Sequence, residues 1–449
     1  MSSRPSLCIL FAFCLLTAAE AFAKGWKEVK LLSSVTHVQP MTGLVLWPHA
    51  ARERNASYGE SIQLEFAYCL PCKVVTGCTP DGTISYDWTW FDKILDDVAS
   101  RNHQLVARFR YEYPGSRDVD GKTRGMTAVP QYIKERNDYH ETYNDVPGDG
   151  PTFYADWNNA ELQRFTKQFY TDFSRRYNND PRLAFLEVGF GHWSEYHIFG
   201  TELHLGKNFA SKDFQAEFFL HLDSVMDKIP WLISIDGGDK RYSPIVENDD
   251  LMKLTFGLFD DSFMHKNHEN GFNERLWNAI GQGIRWQGGV CGGEVSYYSR
   301  DDQRDFLNPA GLYGHTWEEQ AAKYHITFMI SNDAPRGNYG TAARFKEASM
   351  AAGYHFTVTK CRTRKHETEI TVTNTGVAPL YRDAYFSIDG TRSETTLKGL
   401  LPGQEMTITI PTTLPRNAAG YAKRQPEIIS DALLPTQRIE YDFLLPREK

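Results

Sequence analysis

The chain of 449 residues has no basic tail and no basic repeat, and its formal net charge is -8. Nothing in it is built to neutralise a nucleic-acid backbone. After the first residues it has no apolar run long enough to cross a membrane. No Gly-x-Gly-x-x-Gly element follows the first predicted strand, which removes the main argument for a dinucleotide fold. Asp120 and Asp138 do not fall in a calcium-loop pattern. Cysteine is scarce, at seven. Cys8 and Cys14 lie in the leader, and Cys69, Cys72, Cys78, Cys291 and Cys361 remain. The cluster Cys69-x2-Cys72-x5-Cys78 lacks the fourth ligand that zinc needs, so a disulfide is expected there, with an odd thiol left over. We expect no metal and no cofactor.

What is present points outward. Arg4 precedes an apolar run over residues 7–19, and Ala21-Phe22-Ala23 offers the small residues a signal peptidase reads. Residues 1–23 are therefore expected to be a signal peptide and the mature chain to be secreted or extracytoplasmic. Asn55-Ala56-Ser57 is a glycosylation sequon. Ten Trp and 23 Tyr supply flat rings with a polar handle, suited to sugar-binding clefts as well as to ordinary core.

Residues 24–353 alternate strand and helix patterns. Strands are predicted at residues 42–47, 104–111, 183–190, 231–236, 255–259, 289–295, 325–330 and 354–359. Helices are predicted at 88–99, 159–177, 214–226, 273–287, 317–323 and 342–352, with Gly353 as a cap. A long aromatic excursion covers residues 112–157. Eight strands with intervening helices fit an α/β fold of the (β/α)₈ TIM-barrel type. From about residue 354 the pattern becomes short alternating strands between Gly and Pro turns, a small all-β sandwich expected to brace the barrel.

In a barrel the carboxyl ends of the strands carry the site. The sharpest segment is LAFLEVGFGHWSEYH at residues 183–197. An apolar strand runs out through two glycines and then offers His192, Trp193, Glu195 and His197. Glu195 could equally be a solvent-facing loop residue. Glu187 lies mid-strand, where a buried, paired role is expected. The second segment, GGVCGGEVSYY at residues 288–298, places Glu294 at a strand end after close-approach glycines, with Tyr297 beyond it. Glu195 and Glu294 follow the third and sixth predicted strands, which sets them across the mouth. Two carboxylates flanking one bond is the arrangement glycoside hydrolysis uses, one donating a proton and one attacking or activating water. Glu195 is assigned the acid role and Glu294 the nucleophile or base role. Trp47, Arg108, Arg110, Asp260, Asp261, His315 and Asn332 stand at or near other strand ends and are the remaining substrate-binding candidates. Arg108 and Arg110 share one strand face, where a structural ion pair is as good a reading.

At these segments the chain resembles a group of secreted barrel proteins, classed with the glycoside hydrolases, that carry a domain of unknown function (DUF4832-like). The shared features are GLVLW at residues 43–47, YDWTWFD at 86–92, VARFRYEYPG at 106–115, Gly292-Gly293-Glu294, Asp260-Asp261 and VTNTGVAPLY at 372–381. The group's third-strand motif ends in Trp-Gly-Glu-Trp-His. This chain reads GFGHWSEYH, with Ser194 and Tyr196 replacing two of those residues and Glu195 and His197 kept. The resemblance implies the barrel and sandwich more strongly than it implies a substrate. The expected partner is a polysaccharide or oligosaccharide. The first expectation is a glycoside hydrolase. The second is a polysaccharide lyase that eliminates beside a uronate with Tyr or His and Arg. The third is a glycan-binding protein without turnover.

Overall fold

The computed structural model describes residues 25–331 and 339–444. The leader and Asn332 lie outside the described residues. Eight parallel strands close into a barrel: β1 (Gly43–Leu46), β2 (Leu64–Cys69), β3 (Gln104–Phe109), β4 (Leu183–Glu187), β5 (Trp231–Ser234), β6 (Gly257–Phe263), β7 (Cys291–Val295) and β8 (Phe328–Ile330). Helices α1 (Pro48–Tyr58), α2 (Thr89–Ala99), α3 (Ala160–Tyr177), α4 (Lys212–Val225), α5 (Phe272–Gly281), α6 (Trp317–Lys323) and α7 (Ala342–Met350) surround it. Within the long excursion, strands Thr142–Val146 and Gly150–Tyr154 pair as a hairpin.

The strand count from sequence is corrected in two places. Leu64–Cys69 is a barrel strand that sequence reading missed. Its run is interrupted by Glu65, which the fold buries outside the barrel against Arg101 at 2.7 Å and His103 at 2.7 Å. The predicted eighth strand belongs to the second unit. It opens β9 (Phe356–Arg364), antiparallel to β10 (Glu367–Asn374). Its polar–apolar alternation is the mark of a sheet with one wet face, not of a barrel strand buried on both sides. Helix α1 was also missed, because only Ala50 and Ala51 on it are buried and no apolar stripe forms.

The sandwich holds β9 and β10 with β12 (Glu405–Ile410) and β14 (Tyr441–Phe443), facing a smaller sheet of β11 (Tyr385–Ile388), Thr391–Arg392 and β13 (Glu427–Ile429). The two-residue strand Lys27–Glu28 also joins β9, so the chain's beginning is tied to its end. Phe66, Val106, Phe185, Phe259 and Phe328 fill the barrel and form one continuous core with Phe356, Val358 and Ile370 of the sandwich. Gln104, at the start of β3, donates to the Ala432 carbonyl at 2.8 Å. The sandwich thus seals the amino ends of the strands and leaves the carboxyl ends to the loops. The expected disulfide does not form: Cys69, Cys72, Cys78, Cys291 and Cys361 are all free. Cys69 ends β2 fully buried, Cys72 sits on the following turn, and Cys78 lies on a hairpin beside Arg164 at 3.8 Å.

Close packing makes one glycine testable. A Cβ on Gly292 would stand 2.5 Å from the Phe328 ring, which itself stacks on Phe185 at 5.2 Å. Gly292→Ala is expected to lower the unfolding free energy by about 1–3 kcal/mol in urea titrations; an unchanged midpoint would contradict this packing.

Candidate active site

Arg108 lies on the inner face of β3, directly opposite Tyr68 on β2 and Glu187 on β4. Its guanidinium rests 4.2 Å from the Phe259 ring and 5.0 Å from the Phe66 ring, at the top of the apolar filling. Every nitrogen of it is used. Nε donates to Glu187 Oε2 at 2.6 Å, Nη2 to Glu294 Oε1 at 3.0 Å and Nη1 to Glu195 Oε1. Nη1 also reaches the Tyr68 hydroxyl at 3.4 Å. Removing one partner of a buried ion pair costs about 3–5 kcal/mol, so this cation and its carboxylates depend on one another.

Glu195 arrives by a loop that would not form without its glycines. A Cβ at Gly189 would meet the Ser194 carbonyl at 2.0 Å, and one at Gly191 the His197 carbonyl at 2.5 Å. Trp193, Ser194 and Tyr196 adopt φ of 55°, 66° and 63°, a left-handed conformation that costs of order 1–3 kcal/mol each. The turn is pinned by Ser194 Oγ donating to the Phe109 carbonyl at 2.9 Å and by the His192 N–H donating to the His197 carbonyl at 2.9 Å. Glu294 ends β7 behind Gly293, where φ is 149° and a Cβ would stand 2.1 Å from the Asp260 carbonyl.

Asp261 and His197 complete the cluster. The ligand atoms of Glu195, His197 and Asp261 lie within 4.8 Å of one another. This donor set has the types a divalent cation accepts, but the Arg108 charge on Glu195 opposes one. The Asp261 carboxyl lies beside that of Glu195. Burial, and next the Asp261 charge, hold Glu195 well above the ordinary glutamate range. Burial also raises Asp261. It pushes Glu294 up to about 7 against the pull of Arg108, and raises Glu187 against the same pull. His197 Nδ1 stands 3.1 Å from Asp236 Oδ2. Burial opposes a charge on His197, yet the bond to Asp236 and the charge of Asp261 outweigh it and hold the ring above its ordinary value. Asp236 is itself pushed up to about 7 by burial.

The other sequence candidates fall in different places. His192 is fully buried, stacked on Tyr154 at 5.5 Å, with neither ring nitrogen hydrogen-bonded. Burial pushes it down to about 3, so it is a neutral packing ring. Trp193 meets Tyr113 edge-on at 5.7 Å. Arg110 is buried against the Tyr113 ring at 4.5 Å and paired with Asp118, at the edge of the cluster. Trp47 packs on Phe66 at 4.9 Å and Tyr68 at 5.5 Å. Asp260 faces away from Asp261, accepting from His268 at 2.8 Å and Asn273 at 2.8 Å. Tyr297 is 51% exposed on the loop after β7. His315 lies in a separate hollow, 3.4 Å from Glu269. Asp236 and Tyr68 gain importance over the sequence reading. The glycines after Asp236 were a signal for it; Tyr68 was hidden with its missed strand.

No family model matches the chain, and no curated protein matches it. The resemblance to the domain of unknown function therefore rests on motifs alone. Among solved structures, endo-glycoceramidase II from Rhodococcus sp., as a lactosyl-enzyme intermediate, aligns at a TM-score of 0.41 and 10% identity, over 86% of this chain and 99% of that one. The alpha-amylase from Geobacillus thermoleovorans, complexed with acarbose, aligns at 0.35 and 9% identity, over 86% and 96%. AmyB, a noncanonic maltogenic alpha-amylase from Thermotoga neapolitana, aligns at 0.33 and 9% identity, over 84% and 99%. Likeness at this level is too distant to bear on the site.

The raised carboxyls carry a pH signature. Glu294 and Asp236 hold their protons to about 7 in the folded chain but release them near 4.5 and 3.8 when unfolded. The folded state binds more protons across that window, so stability falls as pH rises through it. The melting temperature is expected to decline from about pH 4.5 to about pH 7, and the decline should be shallower in Glu294→Gln. His192, held down at about 3, works the other way over part of that window, so the slope difference decides: a slope unchanged in Glu294→Gln would contradict the burial of Glu294.

Proposed function

We propose that this chain is a secreted carbohydrate-active enzyme, a glycoside hydrolase acting on an extracellular polysaccharide or oligosaccharide. One observation carries the reading. Glu195 follows β4 and Glu294 lies near the carboxyl end of β7, both at the open end of the barrel, and both bind the same Arg108. Their environments differ, as the acid and nucleophile of a glycosidase require. Glu195, held well above the ordinary glutamate range by burial and the Asp261 charge, protonates the glycosidic oxygen. Glu294 attacks the anomeric carbon, with Arg108 stabilising its ionised form. After the leaving group departs, Glu195 as carboxylate takes a proton from water, which opens the glycosyl ester on Glu294.

The lyase reading loses its cation. Arg108, the guanidinium that would neutralise a uronate, is already bound by Glu187, Glu195 and Glu294, and Arg110 is buried on Asp118.

The purified mature protein should be screened against neutral and uronate-rich polysaccharides, with products read by mass spectrometry and ultraviolet absorbance. Products one water heavier per cut are expected, without new absorbance. Glu195→Gln and Glu294→Gln should each lower kcat by about 10²–10⁴-fold. Products of unchanged total mass with new absorbance, or full activity in both variants, would overturn the assignment.

A further inference from the structure

A second cavity, of about 400 Å³, opens where the barrel meets the sandwich, far from the open end in the fold's design. The barrel contributes Lys228, and the sandwich contributes Arg382, Tyr385 and Arg392 together with Asp383 and Asp431. Arg382 is the unusual member. It is 8% exposed, and its Nη1 is buried without a hydrogen-bond partner. Arg101 is paired with Glu65 and Asp97 and Arg108 with its glutamates, and Arg110, whose Nε and Nη1 are also without partners, keeps Asp118 on Nη2; no carboxylate bonds Arg382 among the described residues. Asp383 acts on Arg382 through its charge without a hydrogen bond, and its Oδ1 accepts from Thr396 Oγ1 at 3.3 Å. Arg392 lies over the Tyr385 ring at 4.3 Å, which steadies it at the same cavity.

A buried guanidinium nitrogen without a partner is costly, and an oxyanion with matching geometry removes that cost. We propose that this cavity binds an oxyanion group, a carboxylate or sulfate, with Arg382 as its buried anchor and Arg392 and Lys228 closing on it from the rim. The volume exceeds what a free inorganic ion needs and falls in the range of about 300–1,000 Å³ typical of small-molecule sites. An acidic sugar is the ligand that fills both the charge and the space. Because Lys228 comes from the barrel and Arg382 from the sandwich, bound anion would also staple the two units together. Nothing in this proposal depends on the chemistry at Glu195 and Glu294.

The test is calorimetric titration of the full chain with sodium glucuronate and, separately, with sodium sulfate, chloride being adjusted to constant ionic strength. Saturable one-site binding is expected for both, tighter for glucuronate. Binding of sulfate alone supports the site and assigns it to free oxyanions. Arg392 is exposed, so Arg392→Ala should keep the anion-free melting temperature and weaken binding by about tenfold. Arg382→Met should abolish binding; should that variant fail to fold, Arg392→Ala decides. Silence with both anions, or affinity unchanged in Arg392→Ala, overturns the proposal.

Discussion

A single buried cation organises the open end of this barrel. Arg108 is fully desolvated, and a guanidinium in that position is tolerable only when its donors are satisfied. Glu187, Glu195 and Glu294 satisfy them from three directions. The same bonds place two of those carboxyls across the mouth from one another. The strained turn around Glu195 and the close approach at Gly293 are what bring the acids to the guanidinium. One positive charge cannot neutralise this many acids, so protons make up the difference. Burial accordingly raises Glu195, Glu294 and Asp236 above their ordinary ranges.

The rest of the molecule divides the labour. The aromatic layer of Phe66, Phe259 and Phe328 supports Arg108 from below and merges with the sandwich core. The buried acids gather at one end, and the sandwich covers the other. His197 and Asp236 approach from the loops after β4 and β5 and add a second charge-sensitive pair beside Glu195. The proposed hydrolysis needs one carboxyl to keep its proton and another to lose it, and unequal neighbouring charges around one arginine can supply that difference.

Much of this was legible in the residues. The glycines before Glu195 and Glu294 announced close approaches, and the structure shows the carbonyls that require them. The barrel and sandwich were readable from the change of hydrophobic period. The count was off by one at each end: Glu65 disguised β2, and the alternating opening of β9 was taken for a barrel strand. Both glutamates moved one strand later, so their three-strand separation survived. Asp260 and Asp261 could not be told apart, because the register shift between Asp260 and Phe263 decides which faces inward. The left-handed turn at Trp193, Ser194 and Tyr196 had no signature, since none is glycine. Cysteine spacing suggested a disulfide, but spacing along a chain carries no distance in space.

The central claim is that, at equal burial on one arginine, the Asp261 charge beside Glu195 separates its protonation from that of Glu294. Carboxyl-carbon NMR of the glutamate-labelled chain, assigned with Glu195→Gln and Glu294→Gln and followed across pH, measures this directly. The account predicts that Glu294 titrates near 7 and that Glu195, in a separate step, also titrates well above the ordinary glutamate range. Both resonances moving together in the ordinary glutamate range, about 4–5, would contradict it.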